Sequence, residues 1–309
     1  MLRNPDCLRP KTENLFFPPK KGDYQYFETA PPAKETSLPA RAAWAADGAM
    51  LAYARYGPQR MQEDEFIGIL RGAGYQSVET IGDCFGDRAH TARAFFASND
   101  RHALLAFRGT EKDNPHDIEA DADTLLVDGP VGRVHQGFYH YFQSVLWRVA
   151  QVVRNYRIEH PTQEICITGH SLGAALATLT CAVLKDPKAA LFTFGCPRVG
   201  DVAFCDAIAR LAESNGCYRV VNNDDVVTHI PLHVAGLDYQ HPNVKLLWLD
   251  PQGALQENPA NPPSDWSDVA HLAFGFVNGH LLEFLPTDLP RPLADHSPVR
   301  YCHWMAQAA

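Results

Sequence analysis

From residue 137 onward, short β-rich runs alternate with helical stretches, and this alternation leaves little choice of fold. Residues 164 to 168 read as a strand, 172 to 184 as a helix, 190 to 194 as a strand, 202 to 213 as a helix and 218 to 222 as a strand. The amphipathic stretch 138 to 159 places a helix before the first of these strands, and residues 244 to 250 place a further strand after the last. Strands separated by helices of this length pair in parallel, with the helices packed on the sheet. The expectation is an α/β fold with a mainly parallel central sheet and helices on both faces.

The flanks are less regular. Residues 1 to 40 hold seven of the 23 prolines and show no period, so they read as an arm on the surface or partly disordered. The remainder, 41 to 309, reads as a single domain, a common size for one α/β core. Within it, helical patterns over 40 to 56 and 63 to 71 precede β-rich runs over 77 to 81, 91 to 98 and 102 to 107. After the last strand come a Pro/Asn/Ser-rich loop over 251 to 267, a helical stretch over 269 to 284 and an irregular tail.

The bulk properties exclude several classes of function. A hydrophobic fraction of 46% with 20% charged residues matches a packed globular chain rather than a disordered or coiled-coil one. A net charge of −9, with no Lys/Arg cluster longer than Lys20-Lys21, argues against a nucleic-acid partner. No run approaches the roughly 18 to 20 apolar residues of a membrane span, and the first 25 residues lack a signal-peptide core. The default expectation is a cytoplasmic location, with signal-independent secretion as the alternative. Of the eight cysteines, Cys166 and Cys181 fall in apolar stretches, and no Cys/His spacing suggests zinc. They read as free, buried thiols.

The chemistry centres on Gly169-His170-Ser171-Leu172-Gly173. Alone, a G-x-S-x-G pattern is weak, arising by chance in roughly one chain in ten of this length. Here it follows a strand and opens a helix, the setting of a nucleophile elbow, in which a sharp turn presents the serine and glycines avoid collisions with strand and helix. A plain N-cap would explain Ser171 but not both glycines. A serine hydroxyl needs a base, and the base needs an orienting acid. In the α/β-hydrolase fold these follow the serine in the order acid, then histidine. The strand over 218 to 222 runs into Asp224 and Asp225, two adjacent candidates. By order alone His229, His233, His241, His271, His280, His296 and His303 all qualify as the base. The elbow geometry aims the backbone N–H of Leu172 at the oxyanion that forms on the attacked carbonyl.

Six segments together resemble the fungal-type lipase family, also called lipase class 3. They are Ala106-Phe-Arg-Gly-Thr110, Val134-His-Gln-Gly-Phe138, Ile167-Thr-Gly-His-Ser-Leu-Gly-Ala-Ala-Leu-Ala177, Thr193-Phe-Gly-Cys-Pro-Arg-Val-Gly200, Arg219-Val-Val-Asn-Asn-Asp-Asp-Val-Val227 and Asp295-His296. They recur in the family's order over about residues 100 to 300. The resemblance implies an α/β-hydrolase fold and a carboxylic ester hydrolase acting through an acyl-serine intermediate, with no metal or organic cofactor. It selects Asp225 over Asp224, because the family's acid directly precedes the closing apolar pair; Thr228 stands where the family usually has proline. It selects His296, in a late Asp-His step before Tyr301, with His303 next. It places the second oxyanion donor at Thr110.

The chain departs from the family after Thr110. Fungal lipases carry an amphipathic lid there, whereas residues 111 to 123 hold six acids and one large apolar residue, Ile118. With Asp117 as position one, an EF-hand would require glycine where Ala122 stands, so the segment reads as a solvated acidic loop. The loop over 251 to 267, with Leu255 and Trp266, is the other obvious cover. These features point to a small-molecule or lipid ester substrate of short to medium acyl chain. The alternatives are a lipase-like interaction scaffold, or an acyltransferase using the same triad.

Overall fold

The computed structural model describes residues 1–11, 15, 22–28, 31–32, 36–54, 61–82, 92–109, 125–231, 238–260 and 289–309. Among the described residues ten strands are formed: β1 (Ser77–Ile81), β2 (Ala94–Ser98), β3 (His102–Phe107), β4 (Leu126–Asp128), β5 (Arg133–His135), β6 (Glu164–His170), β7 (Ala189–Phe194), β8 (Cys217–Asn222), β9 (Lys245–Leu249) and β10 (Leu255–Glu257). Eight of them make one sheet in the order β1-β2-β3-β6-β7-β8-β9-β10, while β4 and β5 pair separately. The five strands from β3 to β9 run parallel; β1, β2 and β10 attach antiparallel at the two edges.

The helices are α1 (Leu38–Leu51), α2 (Glu63–Gly72), α3 (Gln136–Glu159), α4 (Leu172–Leu184), α5 (Val202–Asn215), α6 (Arg291–Asp295) and α7 (Pro298–Ala308). Alternate strand residues point to opposite faces of the sheet. Ala103, Leu105 and Phe107 of β3, with Ile165 and Ile167 of β6, bury against α3, α4 and α5. Leu104 and Ala106 bury against α1 and α2, and Phe192, Phe194 and Val220 against α1 and α7. No described helix is long and apolar enough to cross a membrane.

Helix α4 lies deepest, with every residue from Leu172 to Ala182 buried. A helix that is apolar all round belongs in the centre of a core. Its two threonines are satisfied within the helix, Thr178 Oγ1 donating to Ala174 O at 2.8 Å and Thr180 Oγ1 to Leu176 O at 2.8 Å. The serine at the start of this helix is therefore mounted on a deeply buried element.

The structure differs from the sequence expectations at both ends. The tail is not irregular: α6 and α7 occupy it, each with proline in its first turn, where the missing N–H is not needed. Part of the expected loop over 251 to 267 is a hairpin that adds β10 to β9, so Leu255 sits in an edge strand. The expected helix over 269 to 284 lies outside the described residues. At the front, α1 begins at Leu38, and the described arm is tied to the body. Tyr24 OH and Phe27 N–H, the latter at 2.7 Å, both donate to the Asp47 carboxylate in α1. Arg300 Nε in α7 donates to Leu8 O at 2.9 Å.

Candidate active site

Ser171 occupies the turn between β6 and α4 with φ 59° and ψ −130°. A residue with a side chain holds such a conformation only where its surroundings enforce it, at about 1–3 kcal/mol. Here the Ser171 N–H donates to Phe194 O at 3.0 Å, and Ser171 O accepts from Ala174 N–H at 2.9 Å. The two flanking glycines make the turn sterically possible. A Cβ on Gly169 would lie 2.2 Å from Gly173 O, and one on Gly173 would lie 2.3 Å from Phe107 O. The Ser171 hydroxyl is fully buried and has no hydrogen-bond partner among the described residues. Buried polar atoms are seldom left so, and a reactive group is one reason.

Past β8 the chain turns through Asn223, at φ 46°, and delivers Asp225 into the interior while Asp224 stays part-exposed. Both carboxylate oxygens of Asp225 face His296 Nδ1, at 2.9 and 2.8 Å. Asp225 Oδ1 also accepts the Val227 N–H at 3.0 Å, and Oδ2 accepts the Tyr301 hydroxyl at 2.6 Å. A carboxylate only accepts, so the imidazole carries its proton on Nδ1, and Nε2 is its basic nitrogen. Tyr301 OH in turn accepts the Asn222 N–H at 3.0 Å. Burial, and then the neighbouring Asp225, hold the Tyr301 phenol pKa well above its ordinary value, so it remains a donor.

His296 is pinned by its neighbour as well. Asp295 O accepts Asn222 Nδ2 at 2.8 Å, while its carboxylate accepts Asn223 Nδ2 at 2.7 Å and Arg300 Nη1 at 2.6 Å. Gly195 closes the other side: at φ +56°, a Cβ there would lie 2.6 Å from Asp225 Oδ2 and 2.9 Å from His296 Nδ1. Only glycine leaves room for the pair.

The remaining histidines fall elsewhere. Burial pushes His229 down to about 4. His241 Nε2 donates to Thr228 O at 2.7 Å, and its pKa lies well below the ordinary value, again through burial. His303, next in line by sequence, bonds to Gln307 Nε2 at 3.1 Å on α7. His233, His271 and His280 lie outside the described residues.

Of the two expected oxyanion donors, Leu172 is the first residue of α4, so its N–H is one of the first-turn donors with no carbonyl in its own helix. Thr110 lies outside the described residues; the chain is described to Gly109, two residues beyond β3. The acidic segment over 111 to 123 also lies outside them. Among the described residues no group of His, Cys, Asp or Glu could hold a metal ion. Sequence reasoning missed Gly195, Tyr53 and His170, and used Tyr301 only to locate the histidine. The Tyr53 hydroxyl sits 2.9 Å from His170 Nδ1, a contact across 117 residues that no local pattern signals.

Comparison with known proteins bears on the family and the fold. A profile described as Lipase (class 3) matches residues 104–235, the stretch from β3 past Asp225. Over this stretch, a little over two fifths of its length, the chain is similar to the class 3 lipases. One relative, the secreted mono- and diacylglycerol lipase 1 of Fusarium solani, is 34% identical over 38% of this chain and 34% of its own length. The secreted mono- and diacylglycerol lipase A of Penicillium cyclopium is 29% identical over 53% of this chain and 55% of its own. The chain thus spans between about a third and about half of these relatives. The crystal structure of the mono- and diacylglycerol lipase from Aspergillus oryzae shares the α/β-hydrolase fold, with TM-score 0.60 and 20% identity over 85% of this chain and 96% of that one. The expectation of a cytoplasmic location is corrected by these comparisons. Two relatives are named as secreted, which points outside the cell.

Proposed function

We propose that this chain is a carboxylic ester hydrolase of lipase or esterase type, working outside the cell on short- to medium-chain acyl esters. Ser171 is the nucleophile, His296 the base and Asp225 the orienting acid. The observation that carries the reading is the buried Asp225–His296 pair, which holds Nδ1–H and leaves Nε2 as the basic nitrogen, together with an elbow serine whose hydroxyl makes no hydrogen bond among the described residues. His296 Nε2 takes the Ser171 proton as Oγ attacks the acyl carbon. The oxyanion that forms is held by the backbone N–H of Leu172 and by Thr110, a lost contact of this kind being worth about 3–4 kcal/mol. Collapse expels the alcohol, which leaves with the proton from His296. Water, activated by the same nitrogen, then frees the acid and restores Ser171. Every step draws on groups of this chain. The catalytic unit is residues 41 to 309, with residues 1 to 40 as an arm anchored to it.

Tyr301→Phe tests the acid's setting. It removes one donor from a buried carboxylate, and hydrogen bonds to charged groups are worth about 1.5–3 kcal/mol. Turnover should fall by about tenfold to a hundredfold, since 1.4 kcal/mol is a factor of ten, with the fold retained by circular dichroism. Turnover equal to wild type would show that Tyr301 takes no part in holding Asp225.

The substrate class follows from the acidic segment over 111 to 123. A cover that opens at an oil surface buries an apolar face, each large side chain contributing about 1.5–3 kcal/mol, and Ile118 alone against six acids gains little. Dissolved short-chain esters should be hydrolysed with simple saturation and no jump at the solubility limit. Esters of increasing acyl length, assayed below and above that limit, check this. A several-fold rise on emulsion formation would replace the esterase reading with an interfacial lipase, and no hydrolysis of any ester would end both.

A further inference from the structure

His170, the residue between Gly169 and the elbow serine, is 1% exposed and uses both ring nitrogens. Its Nε2 lies 2.7 Å from the backbone oxygen of His296, and its Nδ1 lies 2.9 Å from Tyr53 OH. A carbonyl oxygen only accepts, so Nε2 carries the hydrogen, Nδ1 is the acceptor, and the Tyr53 hydroxyl donates to it. Gly109 packs on the Tyr53 oxygen so closely that a Cβ there would be 2.0 Å from it, and the same hydroxyl lies 3.4 Å from His170 O. The His170 ring also packs on the His296 ring, with centroids 4.5 Å apart and planes inclined by 35°.

The directions of these hydrogen bonds are locked. Burial, and then the proximity of His296, hold His170 well below the ordinary histidine pKa, so the ring stays neutral with one donor and one acceptor. The groups facing it are Tyr53, the rings of His296 and Tyr301, and no carboxylate in hydrogen-bond contact. Burial likewise raises the Tyr53 phenol, with Arg108 opposing, so that it remains a donor. Reversing one bond would leave a buried carbonyl or a buried ring nitrogen unpaired.

Resting on the assignment of Ser171 and His296 above, we propose that His170 and Tyr53 are positioning residues that hold base, nucleophile and oxyanion segment in one register. The contacts run from Gly109, packed on the Tyr53 hydroxyl, through Tyr53 O–H to His170 Nδ1, and from His170 Nε2–H to the His296 carbonyl. Their three attachment points are the three parts of the machinery. Gly109 directly precedes Thr110, His170 directly precedes Ser171, and the last bond ends on the base itself. Asp225 fixes the His296 ring at Nδ1. The tilted His170 ring, with its centroid 4.5 Å away, adds a second contact on the same ring, so Nε2 keeps its direction through both proton transfers. Neither residue touches the ester.

The test compares Tyr53→Phe, His170→Gln and His170→Leu with wild type in the full chain, using a soluble short-chain ester. The readouts are kcat and KM separately, the rate of Ser171 labelling by an organophosphonate ester, and the melting temperature. Glutamine can place an amide N–H where Nε2–H was, whereas leucine cannot. A misplacement of about 1 Å in a catalytic array costs up to about a hundredfold in rate, which sets the scale for His170→Leu. Tyr53→Phe should lower kcat and the labelling rate by about tenfold with KM held within about twofold, the pattern of lost alignment rather than lost binding. His170→Gln should recover most of the rate that His170→Leu loses. Wild-type kcat in folded Tyr53→Phe, or equal impairment in folded glutamine and leucine variants, overturns the proposal. If the leucine variant does not fold, kcat in Tyr53→Phe decides alone. Failure of the wild-type chain to be labelled at Ser171 is a different result, which removes the assignment of the nucleophile beneath it.

Discussion

Ser171→Ala should leave a folded protein whose turnover is lower by about 10⁶-fold, the loss measured when a serine nucleophile is removed elsewhere. The fold should survive because the Ser171 hydroxyl makes no hydrogen bond among the described residues, so its loss orphans no partner. The backbone bonds to Phe194 O and from Ala174 N are unaffected by a change at Cβ. Alanine keeps the φ of 59° with the same Cβ, so the strain at the turn is unchanged. Burst-phase acylation and labelling by an organophosphonate ester should both disappear, with mass spectrometry of the wild type placing the label on Ser171. Labelling of the alanine variant at the wild-type rate would move the nucleophile elsewhere.

The second large effect is a contrast between neighbours. His296→Ala should cost nearly as much as the loss of Ser171, because the members of a triad act as a unit. Asp225→Asn should lower turnover by up to about 10⁴-fold, and the contacts say why. An asparagine amide nitrogen facing His296 would donate toward Nδ1, so the ring would move its proton to Nε2 and cease to be a base toward Ser171. Its oxygen could satisfy Tyr301 or Val227, but the present carboxylate accepts from both and from the imidazole at once. Asp224, part-exposed in the turn, should tolerate asparagine with far less change. Equal impairment of the two variants would remove the case for Asp225.

The central architecture was legible because its signals are local. The helix Leu172–Leu184 and the strand His102–Phe107 have the limits expected from their apolar patterns, and β6 runs only two residues past its expected end. The glycines of the elbow were legible for the same reason, since strand, turn and helix are adjacent in sequence. Helices α6 and α7 were hidden by Pro290, Pro292 and Pro298, which look like breaks until the first turn of each helix is located. Three-residue strands such as β4, β5 and β10 are too short to carry a period. The choice of one histidine among seven came from family resemblance, not spacing, because the partners meet across 71 residues. Tyr53 and Gly195 carry no pattern at all; one shows its use only through a bond closed across the sheet, the other only through the space it leaves empty.

The buried cysteines have a consequence for where such a chain can work. All seven described cysteines are unbridged, and five of them are buried. Burial raises Cys196, Cys205 and Cys217 to about 12, and Cys166, Cys181 and Cys302 are raised as well. The thiolate is the species that attacks a disulfide or meets an oxidant, and at neutral pH such groups hold almost none of it. Outside a cell, where exposed thiols oxidise or scramble, these would persist as inert filling of the core for as long as the fold is closed. Unfolding would expose them all together, and refolding in air would then compete with mispaired bridges. The protection of these buried thiols from an oxidising medium is thus a matter of packing, and it ends when the packing is lost.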